Sequence, residues 1–236
     1  MGCIRLSEIE EKTQLPSKGK FISFEGGEGG GKTTQIKLLT EALNDAGIET
    51  LQTREPGGSP GAEAIRSLLV EGETDRWDAT TETLLHFAAR RDHLTKIILP
   101  ALDKGQWVLT DRFADSTMAY QGYGHGVSKK AIHSLFQFVA GNRQPDMTVI
   151  LDLPARDGLA RAEARGAEKA SEVHQKEDRY ERMGADFHDR LRDGFLDIAK
   201  KNRKRCVVID TTRSIEDIQL DIKRLVFEKF GIYENE

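Results

Sequence analysis

Short apolar runs alternate along this chain with longer stretches whose apolar residues recur every three or four positions. The runs at 21–25, 106–110, 147–151 and 206–209, with a shorter β-like segment at 50–53, predict strands, and the scarcity of polar residues in most of them predicts burial on both faces. Helical spacing predicts helices over 32–46, where Ile36, Leu39 and Leu43 share a face and Gly47 is a stop signal, and over 62–70, 80–102, 129–140, 154–165, 180–201 and 215–230. In the 80–102 stretch Leu84, Leu85, Leu94, Ile97, Ile98 and Leu99 spread over more than one face, which suits core packing plus a contact between two copies of the chain. Strands alternating with helices imply an α/β fold on a parallel sheet covered on both sides. In such folds ligands gather at the carboxyl ends of the strands.

The first run leads directly into Gly26, Gly27, Glu28, Gly29, Gly30, Gly31, Lys32, Thr33 and Thr34. This fits G-x-x-x-x-G-K-[ST], with a strand before it and a helix after it, the context in which the pattern binds phosphate. The glycines let successive N–H groups turn inward around an anion, while the lysine ammonium and the free N–H groups of the new helix add positive potential. A glycine-rich turn that binds nothing is the plain alternative, and the matching flanks weigh against it. Asp111 follows another strand, where its carboxylate can hold Mg²⁺ opposite the Thr33 hydroxyl, and the adjacent Arg112 suits a phosphate. In isolation that Asp-Arg step would read as a helix cap or a surface ion pair. Arg54 ends a third strand ahead of a rigid turn made by Pro56, Gly57 and Gly58, and its fork of donors suits bidentate phosphate recognition.

These residues predict phosphoryl transfer from a nucleoside triphosphate, a reaction that needs positioning and charge neutralisation more than covalent chemistry. A phosphate-monoester acceptor is largely dianionic at neutral pH and needs no general base. The variable loop positions 27–30 supply no cation, so arginines elsewhere must do so. Arg161 and Arg165 lead into a polar segment, 166–178, that reads as a lid able to close over the triphosphate; a solvated helix face is the alternative.

The 236 residues suffice for one α/β core, and no low-complexity linker divides them, so 20–232 read as a single domain behind a polar extension, 1–19. Leu6 stands where a myristoylation motif requires serine or threonine. A net charge of −4 gives no global reason to expect nucleic acid, and the basic run 200–205 reads as a solvated helix end. Cys3 and Cys206 have no metal or redox spacing, and the six histidines form no H-E-x-x-H pair. With no apolar stretch of membrane-span length and no signal-peptide core, a cytoplasmic protein is expected, with no membrane partner.

Four motifs, F-x-x-x-E-G-x-E-G-x-G-K-T-T, T-R-E-P-G-G, D-R-F-x-x-S-T-x-A-Y-Q-G and P-D-x-T-x-x-L-D, together resemble bacterial thymidylate kinases, a resemblance that runs from about Lys20 to the C-terminal helix. The resemblance implies a P-loop kinase fold with a five-stranded parallel sheet and a short lid, in a cytoplasmic homodimer that uses Mg²⁺ and transfers the γ-phosphoryl group of ATP to dTMP. It implies that Glu28 accepts from the deoxyribose 3′-hydroxyl and that Arg54 and Arg112 grip the dTMP phosphate. Thr117 would lie near the thymine edge with Gln121 nearby, Arg90 would bond the base, and Tyr120 would crowd the 2′ position. Lys32, Arg112 and Arg165 would be catalytic, and Thr33 and Asp111 would hold the metal. Where the family usually places a thymine-stacking phenylalanine this chain has His86, with Phe87 beside it, so either ring is a candidate. The lid also departs from the arginine-rich form, with Glu163 between Arg161 and Arg165. Another nucleoside monophosphate kinase is the nearest alternative. A P-loop switch NTPase is the distant one, and the chain has neither N-K-x-D nor L-S-G-G-Q.

Overall fold

The computed structural model describes residues 18–141, 143–169 and 178–233, the side chains of 165–169 excepted. Among them, β1 (Phe21–Glu25), β2 (Thr50–Arg54), β3 (Trp107–Asp111), β4 (Met147–Asp152) and β5 (Cys206–Asp210) form one parallel sheet in the order β2-β3-β1-β4-β5. The helices in chain order are α1 (Lys32–Asp45), α2 (Pro60–Val70), α3 (Ala79–His93), α4 (Leu99–Asp103), α5 (Ala114–Thr117), α6 (Lys129–Ala140), α7 (Ala155–Lys169), α8 (Ala185–Lys201) and α9 (Ile215–Phe230).

Neighbouring residues on a strand point to opposite faces of the sheet, and here both faces are buried. Ile22, Phe24, Leu109, Val149 and Leu151 pack beneath α1 and α9, whose Leu39, Leu43, Ile222 and Val226 complete that side. Phe21 and Val108 face the other side with Phe87, Ile132 and Phe136, while Ile150 meets Leu191 and Phe195 of α8. This explains why the strands read as continuous apolar runs rather than as alternating ones. The register sets both Phe24 and Arg54 opposite Asp111, so the ends of β1, β2 and β3 open at one edge. No helix among the described residues is long and apolar enough to cross a membrane.

Four details differ from the sequence expectation. The 80–102 stretch is α3, a π-helical segment Leu94–Ile98 and α4, because Pro100 cannot donate into the ladder and its ring crowds the preceding turn. The 154–165 helix continues to Lys169, so 166–169 of the expected lid are helical, and 170–177 of it lie outside the described residues. The helix expected over 180–201 begins at Ala185. A helical stretch appears where none was expected, α5 followed by a π-helical segment Met118–Gly124. Residues 1–17 of the expected extension lie outside the described residues, and Gly19 is tied to the core by its N–H, which donates to Leu102 O at 3.0 Å.

Candidate active site

The loop after β1 needs its glycines. Gly26 and Gly29 have φ of 132° and 67°, and a Cβ on them would lie 2.4 Å from Leu151 O and 2.1 Å from Gly158 O. Gly31 is the N-cap of α1 and provides no side-chain cap, so the first-turn N–H groups stay available to an anion. Lys32 Nζ donates to Gly27 O at 2.8 Å and to Gly26 O at 3.3 Å. Burial, and then Arg112, lower its pKa, so the ammonium sits short of negative charge. Thr33 Oγ1 donates to Asp111 Oδ2 at 3.0 Å across the ends of β1 and β3. That pair of hard oxygens fits Mg²⁺, which commonly takes one or two protein ligands and fills its octahedron with phosphate and water. Among the described residues no group of three or more His, Cys, Asp or Glu is arranged for a metal.

Arg112 adopts φ 69°, the left-handed region that a side chain enters only when its surroundings impose it. Its N–H donates to Phe24 O at 2.9 Å, Thr110 Oγ1 donates to its carbonyl at 2.9 Å, and Glu25 accepts from Phe113 N at 2.8 Å. The guanidinium is thereby turned back over the loop, donating to Gly26 O at 2.8 Å, Ser116 Oγ at 3.2 Å and Glu28 Oε1 at 2.7 Å, with the Tyr120 ring 4.9 Å away. Tyr120 also donates to Glu28 Oε1, at 2.6 Å. Burial alone would raise the Glu28 pKa, but Arg112, Lys32 and Tyr120 outweigh it and bring it down to about 2. Glu28 is therefore an ionised acceptor at neutral pH.

Glu25 behaves in the opposite way. Burial, then Asp115, push its carboxyl up to about 8 against the pull of Ser116 and Arg112. A carboxyl raised above an unfolded value of 4.5 adds stability that is complete below that pH and is lost as pH rises through the folded value. The variant Glu25→Gln, which cannot ionise, is accordingly expected to gain melting temperature relative to the unaltered protein between pH 5 and pH 8. About 1 kcal/mol would appear as a relative shift of ~2–4 °C. Thermal melts of both proteins across that range check it, and a constant difference would contradict it.

Beside the loop lies a cleft of about 130 Å³ lined from α2, α3, α5, the π-helical segment Met118–Gly124 and the turns that follow β1, β2 and β3. Arg90 forms its floor, donating to Glu55 Oε2 at 2.7 Å, Phe113 O at 3.1 Å and Thr117 Oγ1 at 3.0 Å. Glu55 is fully engaged by Arg90 and by His93 Nδ1 at 3.1 Å; burial opposes its charge, but these two partners hold its pKa below the usual value. Gln121 Nε2 donates to Glu82 Oε1 at 2.8 Å. One donor nitrogen, Arg90 Nη1, and one acceptor, Gln121 Oε1, are buried without a partner among the described residues, although both residues line the cleft. Polar atoms left this way need a partner, which a ligand in the cleft could supply.

The cleft gathers Glu28, His86, Arg90, Arg112, Thr117, Tyr120 and Gln121 of the residues expected from sequence. Phe87 is not among them: it is 2% exposed within the core, with the Arg90 guanidinium 5.1 Å from its ring, because one residue along a helix turns the side chain by about 100°. Arg54 stands outside the cleft lining, half exposed and paired with Glu63 at 3.2 Å. Arg161 donates to Thr211 O at 3.2 Å, and the side chain of Arg165 lies outside the described residues. Sequence reasoning assigned no part to Glu25, Glu55, Ser116, Gly158 or Tyr180. A glutamate in an otherwise apolar strand was the available signal for Glu25; Gly158 gave none, since its Cβ would meet Glu28 O at 2.4 Å only in the folded protein.

Two anion-seeking features at one end of a parallel sheet, a phosphate loop and a separate cationic cleft, define the class: a P-loop kinase fold with room for a second substrate beside the nucleotide. The model of the thymidylate kinase family matches residues 24–222. A thymidylate kinase of Caulobacter vibrioides is 50% identical over 216 residues, 92% of this chain and 100% of that one, and one of Dinoroseobacter shibae is 50% identical over 208 residues, 88% and 96%. The crystal structure of thymidylate kinase from Ehrlichia chaffeensis superposes with a TM-score of 0.69 at 36% identity, covering 89% of this chain and 99% of that one. The chain belongs to the thymidylate kinase family.

Proposed function

We propose that this protein transfers the γ-phosphoryl group of ATP to dTMP, giving ADP and dTDP for dTTP synthesis. The observation that carries the choice of acceptor is the buried, unpartnered pair at the cleft floor, Arg90 Nη1 and Gln121 Oε1. A donor and an acceptor on residues lining one cleft suit the O4 and N3–H of a pyrimidine-dione. Thr117 helps fix the donor, and His86, whose pKa is lowered to about 4 by burial, offers a neutral ring for stacking on the base. Toward the loop, ionised Glu28 would accept from the sugar 3′-hydroxyl, with Tyr120 held against it where a 2′-hydroxyl would have to fit. Arg112 would bind the acceptor phosphate. Arg54 would join it by exchanging Glu63 for that phosphate. Lys32 and the first-turn N–H groups of α1 would hold the triphosphate, and Arg165 of α7 would approach the migrating group. Mg²⁺, held through Thr33 and Asp111, would neutralise charge on the phosphate oxygens. The acceptor attacks as a dianion, so no side chain needs to remove a proton.

The deciding assay is ADP release from Mg-ATP with dTMP, dUMP, UMP, CMP, AMP and GMP offered separately, beside a control without acceptor. Preference for dTMP is expected; turnover without acceptor, or preference for another base, would overturn the reading. We further propose a cytoplasmic homodimer, with Leu84, half exposed on α3, as a candidate contact, and a monomeric mass in solution would contradict the dimer.

The contact between α7 and the loop yields a separate prediction. In Gly158→Ala the new Cβ meets the Glu28 carbonyl, a backbone group that cannot swing aside. kcat/KM for ATP is expected to fall by about tenfold or more, since misplacement by 1 Å suffices for a loss of that order. Steady-state kinetics at saturating dTMP, with a melting curve to confirm folding, check it.

A further inference from the structure

Arg179 is 1% exposed, an unusual state for an arginine, and its surroundings account for it. Nε donates to Glu73 O at 3.0 Å, Nη1 to Leu69 O at 3.2 Å and Nη2 to Thr74 O at 2.9 Å, while Nη1 pairs with Glu82 Oε2 at 2.5 Å. Glu82 is equally buried and also accepts from Gln121. The backbone at 179 is therefore fixed against the end of α2, the turn after it and the first turns of α3. The next residue, Tyr180, stands in the cleft with its ring edge-on to Tyr120, centroids 5.2 Å apart, and its hydroxyl 2.9 Å from His86 Nε2. That bond needs a polar atom at position 86, so a phenylalanine there would lack it.

We propose that Tyr180 is a positioning residue that holds the His86 imidazole as a fixed wall at the base end of the cleft, with Arg179 as the anchor that makes the hold rigid. His86 left to itself would sample several rotamers, and ordering them would be charged against nucleotide binding. With Tyr180 in place the ring is oriented before the base arrives. The inference rests on the dTMP reading, because it concerns the wall against which that base would stack.

A double-mutant cycle tests it. KM for dTMP and kcat are measured for the unaltered protein, Tyr180→Phe, His86→Phe and the double variant, with calorimetric dTMP binding as a second readout. Tyr180→Phe keeps the ring and removes only the hydroxyl. It is expected to raise KM and Kd for dTMP about 3- to 10-fold, the worth of one net hydrogen bond, with kcat changed less than about twofold. In the His86→Phe background the bond to position 86 is already absent, and the same change is expected to have a clearly smaller effect, the remainder being the hydroxyl's bonds with Glu82 and Arg179. An equal effect in both backgrounds, a change confined to kcat, or no change in the single variant would overturn the proposal while leaving the dTMP reading intact. Failure of the unaltered protein to phosphorylate dTMP would overturn both.

Discussion

Replacing Lys32 with alanine is expected to lower kcat for dTMP phosphorylation by on the order of 100- to 1000-fold, without lowering the melting temperature of the free protein. The first half follows from electrostatics. A preorganised donor aimed at charge that spreads over the transferring oxygens is worth most in a water-excluded site. The second half follows from the state of the lysine itself. Burial and the nearby Arg112 disfavour its charge, and two loop carbonyls are its hydrogen-bond partners. Removing it relieves a buried cation that a triphosphate would otherwise compensate, so function and stability pull in opposite directions at this position. Steady-state kinetics together with melting curves, run with and without ATP, check both halves. The rise in melting temperature on adding ATP should shrink in the variant. A variant that loses activity only because it has unfolded would contradict the account.

The second large effect concerns Arg112, where a change to lysine is expected to reduce kcat/KM for dTMP by about 100-fold. The two side chains carry the same charge, so the loss would be one of geometry. The guanidinium spans Gly26 O, Ser116 Oγ and Glu28 Oε1 while lying 4.9 Å from the Tyr120 ring centroid, a set of contacts that a planar fork can make and an ammonium cannot. Burial works against the cation, yet Tyr120, Glu28 and Asp111 keep its pKa above the ordinary arginine value. The left-handed backbone at 112 is unchanged by the substitution, so the melting temperature should fall only by the equivalent of ~1–2 kcal/mol, the cost of the lost partners. Separate determination of KM for dTMP and for ATP checks the assignment. A loss falling mainly on ATP would place Arg112 with the nucleotide rather than with the acceptor.

Much of the fold was legible because its signals are local. Parallel strands buried on both faces are mostly apolar, and Phe21–Glu25 and Met147–Asp152 are recognisable for that reason. The phosphate loop is legible because backbone geometry restricts Gly26 and Gly29 to glycine, whatever else the protein does. The helical stretch 114–124 was not legible: Ser116, Thr117 and Gln121 are buried polar residues turned toward Arg112, Arg90 and Glu82, so no apolar period marks it. The break at Leu94–Ile98 was also missed, because Pro100 signals a disturbance without saying that the chain absorbs it by widening rather than by ending the helix.

At the site the division is sharper. Sequence by itself determined the residue types that chemistry demands: Lys32 and Thr33 at the loop, Asp111 and Arg112 at a strand end, and Gln121 within a motif that resembles that of a known family, with Arg90 assigned by the same resemblance. It left His86 and Phe87 open, since adjacent residues differ only in the direction a helix gives them, and that direction is fixed by what each packs against. The tertiary structure put Phe87 into the core and His86 into the cleft. It also supplied Glu25 beneath Arg112, Gly158 against the loop and Tyr180 against His86, contacts between residues 70 or more positions apart. A sequence records which groups are available, but pairings over such distances exist only once the sheet register and the helix packing have brought them together.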